Sequence, residues 1–202
     1  SSVNTNTHSP MDTSEKELRR AIAAARPRLE TMTDEQAASP RGPGKWSRKE
    51  IIGHLIDSAT VNHQRFIRAQ FTDELIGPTY DQDAWVRVQR YGEAPWSELV
   101  SLWMLMNLQL ARVMEAVPLR ARTMPRARHN LEQIAFRAVP PSEPATLEYL
   151  MQDYVVHLEH HLRQNHFVRF VVHVIAHVLR PEHFVGDLIT QWCFRLPFRD
   201  LL

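Results

Sequence analysis

Cysteine is almost missing: Cys193 is the single one in 202 residues. That excludes an intrachain disulfide framework and any zinc site built from a cysteine cluster, and it fits a reducing compartment. Net charge is nearly absent too, since 24 Lys and Arg face 23 Asp and Glu for a balance of +1. No global basic field marks a nucleic-acid binder, so no nucleic-acid partner is expected. There is no long hydrophobic run. The most apolar stretch, Phe167 to Leu179, is broken by Arg169 and two histidines; a bilayer span needs about 20 apolar residues, so no membrane partner is expected either. The polar opening Ser1–Pro10 has no apolar core of a secretory signal. It reads as a flexible leader, with Met11 as the expected natural start. A cytoplasmic protein is the resulting expectation. No repeat of fixed period is present.

What remains is ordinary globular composition, 44% hydrophobic and 23% charged, of a length that suits one domain with an extension. Four segments carry helical periodicity. In 14–32, Leu18, Ile22, Ala25, Leu29 and Met32 form one apolar stripe, and Ser14 with Glu17 suggests a capping box. In 48–71, Ile51, Leu55, Ala59, Asn62 and Phe66 trace one face. Its start is well marked: Ser47 as N-cap, Glu50 three residues on, and Trp46 with Ile51 placed as a hydrophobic staple. In 96–117 the stripe is Leu99, Trp103, Met106, Leu110, Val113 and Val117, between Pro95 and Pro118. The fourth begins near Thr146, a candidate N-cap, with Leu147, Leu150, Tyr154, Leu158 and His161 pointing inward.

The connections 33–46, 73–95 and 118–143 are too long for a simple up-down bundle. Four amphipathic helices joined this way predict an all-α four-helix bundle with crossover connections. The expected division is a leader over 1–11, a bundle over 12–165 and a C-terminal extension over 166–202. That extension mixes strand-like and helical spacing and is expected to pack on the bundle or on a second chain.

Histidine is the residue in excess, with eleven. His157 and His161 are four apart on the fourth helix, so both imidazoles share a face one turn apart, within reach of one divalent ion. A His-x-x-x-His pair alone is more often exposed or conventionally hydrogen-bonded. His54, on the inward edge of the second helix, would complete three nitrogen ligands on two helices. Three ligands and an open position suit a catalytic site; structural zinc sites usually close with four. His160 falls about 100° from His161 and is expected to face solvent or to support the site from behind. His173 and His177 repeat the spacing but have no upstream partner.

These motifs carry a family resemblance. The run Trp46-Ser47-Arg48-Lys49-Glu50-Ile51-Ile52-Gly53-His54-Leu55-Ile56-Asp57-Ser58 with Asn62-His63-Gln64-Arg65-Phe66, the Tyr80-Asp81 and Trp85 element, and Tyr154, His157, His161 and Gln164 of the fourth helix resemble, in order, motifs of the DinB-like superfamily, in particular its YfiT-type metal-dependent hydrolases and thiol transferases. The match spans about residues 14–165. The resemblance implies a four-helix bundle holding one divalent metal ion, zinc or nickel, on His54, His157 and His161.

Asp57, one turn after His54, and Glu50, one turn before it, could orient the imidazole or take a proton from bound water, and are the candidate catalytic carboxylates. Asp153 has a similar claim. Tyr80 and Trp85 could close over the site as a lid. The functional expectation is a metal-dependent thiol transferase or hydrolase acting on a small molecule, such as a low-molecular-weight thiol. The alternative is a non-catalytic, stress-related metal- or ligand-binding bundle, a homodimer.

Overall fold

The computed structural model describes the backbone of residues 13–178 and the side chains of residues 13–164. The leader expected over 1–11 lies outside the described residues, and the extension over 166–202, including His173 and His177, lies outside what is described at side-chain level. Among the described residues there are helices and no strand. They are α1 (Ser14–Glu30), α2 (Asp34–Ala38), α3 (Arg48–Arg68), α4 (Gln82–Gln89), α5 (Trp96–Ala116), α6 (Leu119–Thr123), α7 (Leu131–Ile134) and α8 (Leu147–Val178), with a 3-10 turn at Tyr91–Glu93 between α4 and α5. The long helices α1, α3, α5 and α8 are the four read from periodicity. The short ones occupy the connections, where no apolar period is long enough to be seen. Two compact units divide between Arg163 and Gln164; the packing below is that of the first. No helix among the described residues is long and apolar enough to cross a membrane.

The core is built from the predicted stripes. Leu18, Ile22, Ala25 and Leu29 of α1, Leu55, Ala59 and Phe66 of α3, Trp103, Leu110 and Met114 of α5, and Leu147, Leu150 and Leu158 of α8 are all buried. α5 packs on both α1 and α3. Tyr154 ties α8 to its neighbours: its ring meets Phe66 edge-on at 6.1 Å, and its hydroxyl donates to Asn107 Oδ1 of α5 at 2.5 Å.

α3 is the central helix, buried on nearly every face. Its start follows the sequence signal. Ser47 N–H donates to Glu50 Oε2 at 2.7 Å and Glu50 N–H donates to Ser47 Oγ at 3.3 Å, a complete capping box. The α1 start differs from expectation. Thr13 is its N-cap without a side-chain bond, and the Ser14 hydroxyl instead donates to Glu148 of α8. Long-range packing supplied a partner that the local box would otherwise have provided.

Gly53 is required by a close approach. A Cβ there would lie 2.1 Å from Tyr91 Cδ2 and 2.2 Å from Tyr91 Cγ, so the absence of a side chain lets the Tyr91 ring lie flat on α3. The connections are pinned in turn by paired backbone at Leu75 and His129 and at Arg126 and Ala145. The buried Arg126 donates to Ala69 O and Ala121 O.

Candidate metal centre

The second turn of α3 and the third and fourth turns of α8 face each other, and each contributes imidazoles to one point. His54 Nε2 lies 3.2 Å from His157 Nε2, and His161 Nε2 lies 3.1 Å from His157 Nε2. Ligand nitrogens of all three residues fall within 4.8 Å of one another. The rings stand edge to face, with centroids 5.2, 4.9 and 4.7 Å apart. His54 is buried at 1% exposure, while His157 and His161 are half-buried. Trp46, the predicted staple residue, sits against the His54 ring at 5.1 Å, and Phe136 against His157 at 5.3 Å.

Burial, reinforced by the field of His161, pulls His54 down to about 4. Burial, then His54 and His160, pulls His157 down to about 3. Both are neutral at physiological pH, the form that ligates metal. Proton sharing alone does not satisfy the cluster. A neutral imidazole Nε2 has one proton or one in-plane lone pair, yet His157 Nε2 faces two nitrogens. His54 Nδ1 is buried with no hydrogen-bond partner, so the ring is not oriented by an acceptor behind it. One cation would satisfy all three nitrogens at once. With metal–nitrogen bonds of about 2.0–2.1 Å, neighbouring ligand nitrogens stand about 2.8–3.4 Å apart for octahedral through tetrahedral angles; the observed spacings lie in that range. The residues present fit a divalent ion.

The carboxylates singled out in the sequence are placed differently. Glu50 is occupied by the α3 cap. Asp57 Oδ1 accepts from the Tyr91 hydroxyl at 2.7 Å and from Gln89 Nε2 at 2.5 Å, while its Oδ2 is buried without a partner. Burial raises its carboxyl above the usual range, against the lowering effect of those two bonds. Asp153 is engaged elsewhere: it accepts from Phe136 N–H at 2.6 Å, Arg137 N–H at 2.9 Å and Arg137 Nε at 3.1 Å. It thereby holds the loop that carries Phe136 against His157. His160 is exposed, its ring 5.3 Å from Phe136.

A cavity of about 300 Å³ opens beside the cluster, lined by His54 and His157 and by Ser58, Asn62, Arg65, Tyr80 and Tyr154 among others. The Tyr80 and Trp85 rings meet at a tilt of 50°, centroids 4.9 Å apart. Burial raises the Tyr80 phenol to about 12, so it is a hydrogen-bond donor at neutral pH. Sequence reading did not assign Arg65 or Phe136 to the site. The Arg65 signal was present, because residues 54, 58, 62 and 65 recur at helical spacing on α3. Phe136 lies in a connection, where no period could reveal it.

A comparison with curated proteins returned no match. Among solved structures, YfiT from Bacillus subtilis, described as a probable metal-dependent hydrolase with an unusual four-helix bundle topology, superposes with a TM-score of 0.61 at 20% identity, covering 80% of this chain and 87% of that one. The superposition shows a shared fold. The family model of the DinB superfamily matches residues 17–164, the stretch that contains all four long-helix stripes and all three clustered histidines. The chain belongs to the DinB superfamily.

Proposed function

We propose that this chain is a metal-dependent enzyme that holds one divalent ion, zinc or nickel, on His54, His157 and His161 and acts on a small molecule in the adjacent cavity. The observation that carries the reading is the convergence of three imidazoles from two helices, one buried and two half-buried, two pairs of them 3.1–3.2 Å apart at Nε2. Their number supports catalysis, since three protein ligands leave a position for water or substrate. When bound, such an ion supplies a Lewis acid that acidifies a water or a small-molecule thiol, which fits hydrolysis or thiol transfer.

The chain's own groups have distinct tasks. Asp153 fixes the Phe136 loop and so shields one side of His157 from water. Trp46 shields His54. Tyr80, protonated at neutral pH, is the donor placed to hydrogen-bond a substrate oxygen in the cavity. The charge of Asp57 reaches Tyr80 and disfavours loss of the phenolic proton. Of the two candidate carboxylates we therefore assign Asp57 the task of keeping the Tyr80 phenol protonated, and Glu50 a structural task in the α3 cap. The whole site falls within residues 12–165, which we take as the functional domain.

The test is elemental analysis of gently purified protein alongside a panel of ester, amide and thiol-transfer substrates, before and after chelation and reloading. One ion per chain, lost in His157→Ala together with any turnover, is expected. Wild-type protein that takes up no divalent ion on reloading would overturn the reading.

A further inference from the structure

Arg65 is 5% exposed, and among the described residues every hydrogen bond of its guanidinium goes to a neutral oxygen. Nε and Nη2 donate to Pro78 O at 3.2 and 2.5 Å, and Nη1 donates to Asn62 Oδ1 at 3.3 Å and to Ile134 O at 3.4 Å. Among the described residues no carboxylate pairs with it; Tyr80 is the ionisable group whose field reaches it. An uncompensated buried charge costs several kcal/mol. Clamping two loops to α3 requires donors but not a full positive charge. What the charge adds is attraction for an anion.

The cavity wall that carries this charge also carries His54, three turns away along α3. His54, Ser58, Asn62 and Arg65 all line it. The α3 axis rises about 16 Å over the three turns from His54 to Arg65, so imidazole and guanidinium stand at the two ends of the stretch of wall that α3 supplies. Asp153, the carboxylate in the cavity wall, is already matched by two backbone N–H groups and Arg137, so it presents little opposing charge. Of the five N–H groups of a guanidinium, the bonds above engage one on Nε, two on Nη1 and one on Nη2. The one left suits a single oxygen of a monoanion better than a phosphate, which seeks several donors.

We propose that Arg65 is the anion-binding end of the cavity, so that the substrate is a small carboxylic acid whose carboxylate docks on Arg65 while its reacting end lies at His54, His157 and His161. The substrate class rests on the reading of those histidines as the reactive centre. The anion subsite itself can be tested apart from it.

The probes are benzoate and benzamide, of equal shape and different charge, with affinity read by calorimetry on metal-loaded wild type and on His157→Ala stripped of metal. At least tenfold tighter binding of benzoate is expected in both proteins. The preference should vanish in Arg65→Gln and persist in Arg65→Lys, with metal content unchanged. Equal affinities in wild type would overturn the proposal. So would a benzoate preference that disappears with the metal, because the ion and not Arg65 would then be the anion site. If Arg65→Gln fails to fold, Arg65→Lys and the stripped His157→Ala protein still decide the question. Wild type that binds no metal yet prefers benzoate would refute the metal reading alone.

Discussion

Gly53→Ala should destabilise the protein although it lies in the interior of a helix. In a free helix, alanine would be better than glycine by about 1 kcal/mol. Here the new Cβ would meet Tyr91 at Cδ2, Cγ and Cε2, at 2.1, 2.2 and 2.7 Å. Cγ lies on the Cβ–Cγ axis, so spinning the ring about that bond does not relieve the clash and the ring must swing away as a body. Overpacking of this kind costs about 1–3 kcal/mol. Displacing Tyr91 also breaks its 2.7 Å bond to Asp57, a bond to an ionisable group worth about 1.5–3 kcal/mol. The opposing terms leave a net loss of about 1.5–5 kcal/mol. Urea unfolding of demetallated protein measures it. The decisive control is the pair Tyr91→Ala and Gly53→Ala with Tyr91→Ala. Once the ring is gone, alanine at 53 should stabilise by about 1 kcal/mol, which reverses the sign. If Gly53→Ala stabilises the wild-type background as well, the close approach of Tyr91 to α3 is not what demands glycine, and the placement of Asp57 argued from it falls.

His161→Ala should lose the metal and His160→Ala should retain it, read by elemental analysis; equal loss would mean that α8 presents a different face. Ser47→Ala should lower the stability of demetallated protein by about 1 kcal/mol through loss of the cap, read from thermal melts; an unchanged melt would count against the cap. The demetallated protein should also weaken as pH falls from about 6.5 toward 4. His54 ionises near 6.5 when unfolded and at about 4 when folded, so the unfolded chain alone takes up the proton in that window, for about 1.4 kcal/mol per pH unit. His157 acts in the same direction and Asp57, with a raised folded value, in the opposite one. Denaturation midpoints that stay flat across this window in His54-containing protein, or that fall equally in His54→Gln, would refute the assignment.

The sequence by itself determined the long elements. Stripes such as Leu18, Ile22, Ala25 and Leu29 repeat over several turns, and a repeat of that length fixes which face of a helix must leave water. The α3 start was equally legible, because Trp46, Ser47 and Glu50 interact within one turn and depend on nothing distant. The histidine trio was legible in part. His157 and His161 share a face by spacing alone, whereas His54 joined them only by analogy until the fold set α3 against α8. Tertiary structure alone decided the carboxylates. Glu50, Asp57 and Asp153 are each within about a turn of a histidine in sequence, yet their bonds go to a helix cap, to Tyr91 and Gln89, and to the Phe136 loop. A carboxylate takes the strongest donors within reach, and for Asp57 and Asp153 those donors come from segments 16 to 34 residues away. Arg65 follows the same rule: helical spacing puts it on the His54 stripe, but only the folded chain reveals that no carboxylate among the described residues comes to meet its charge.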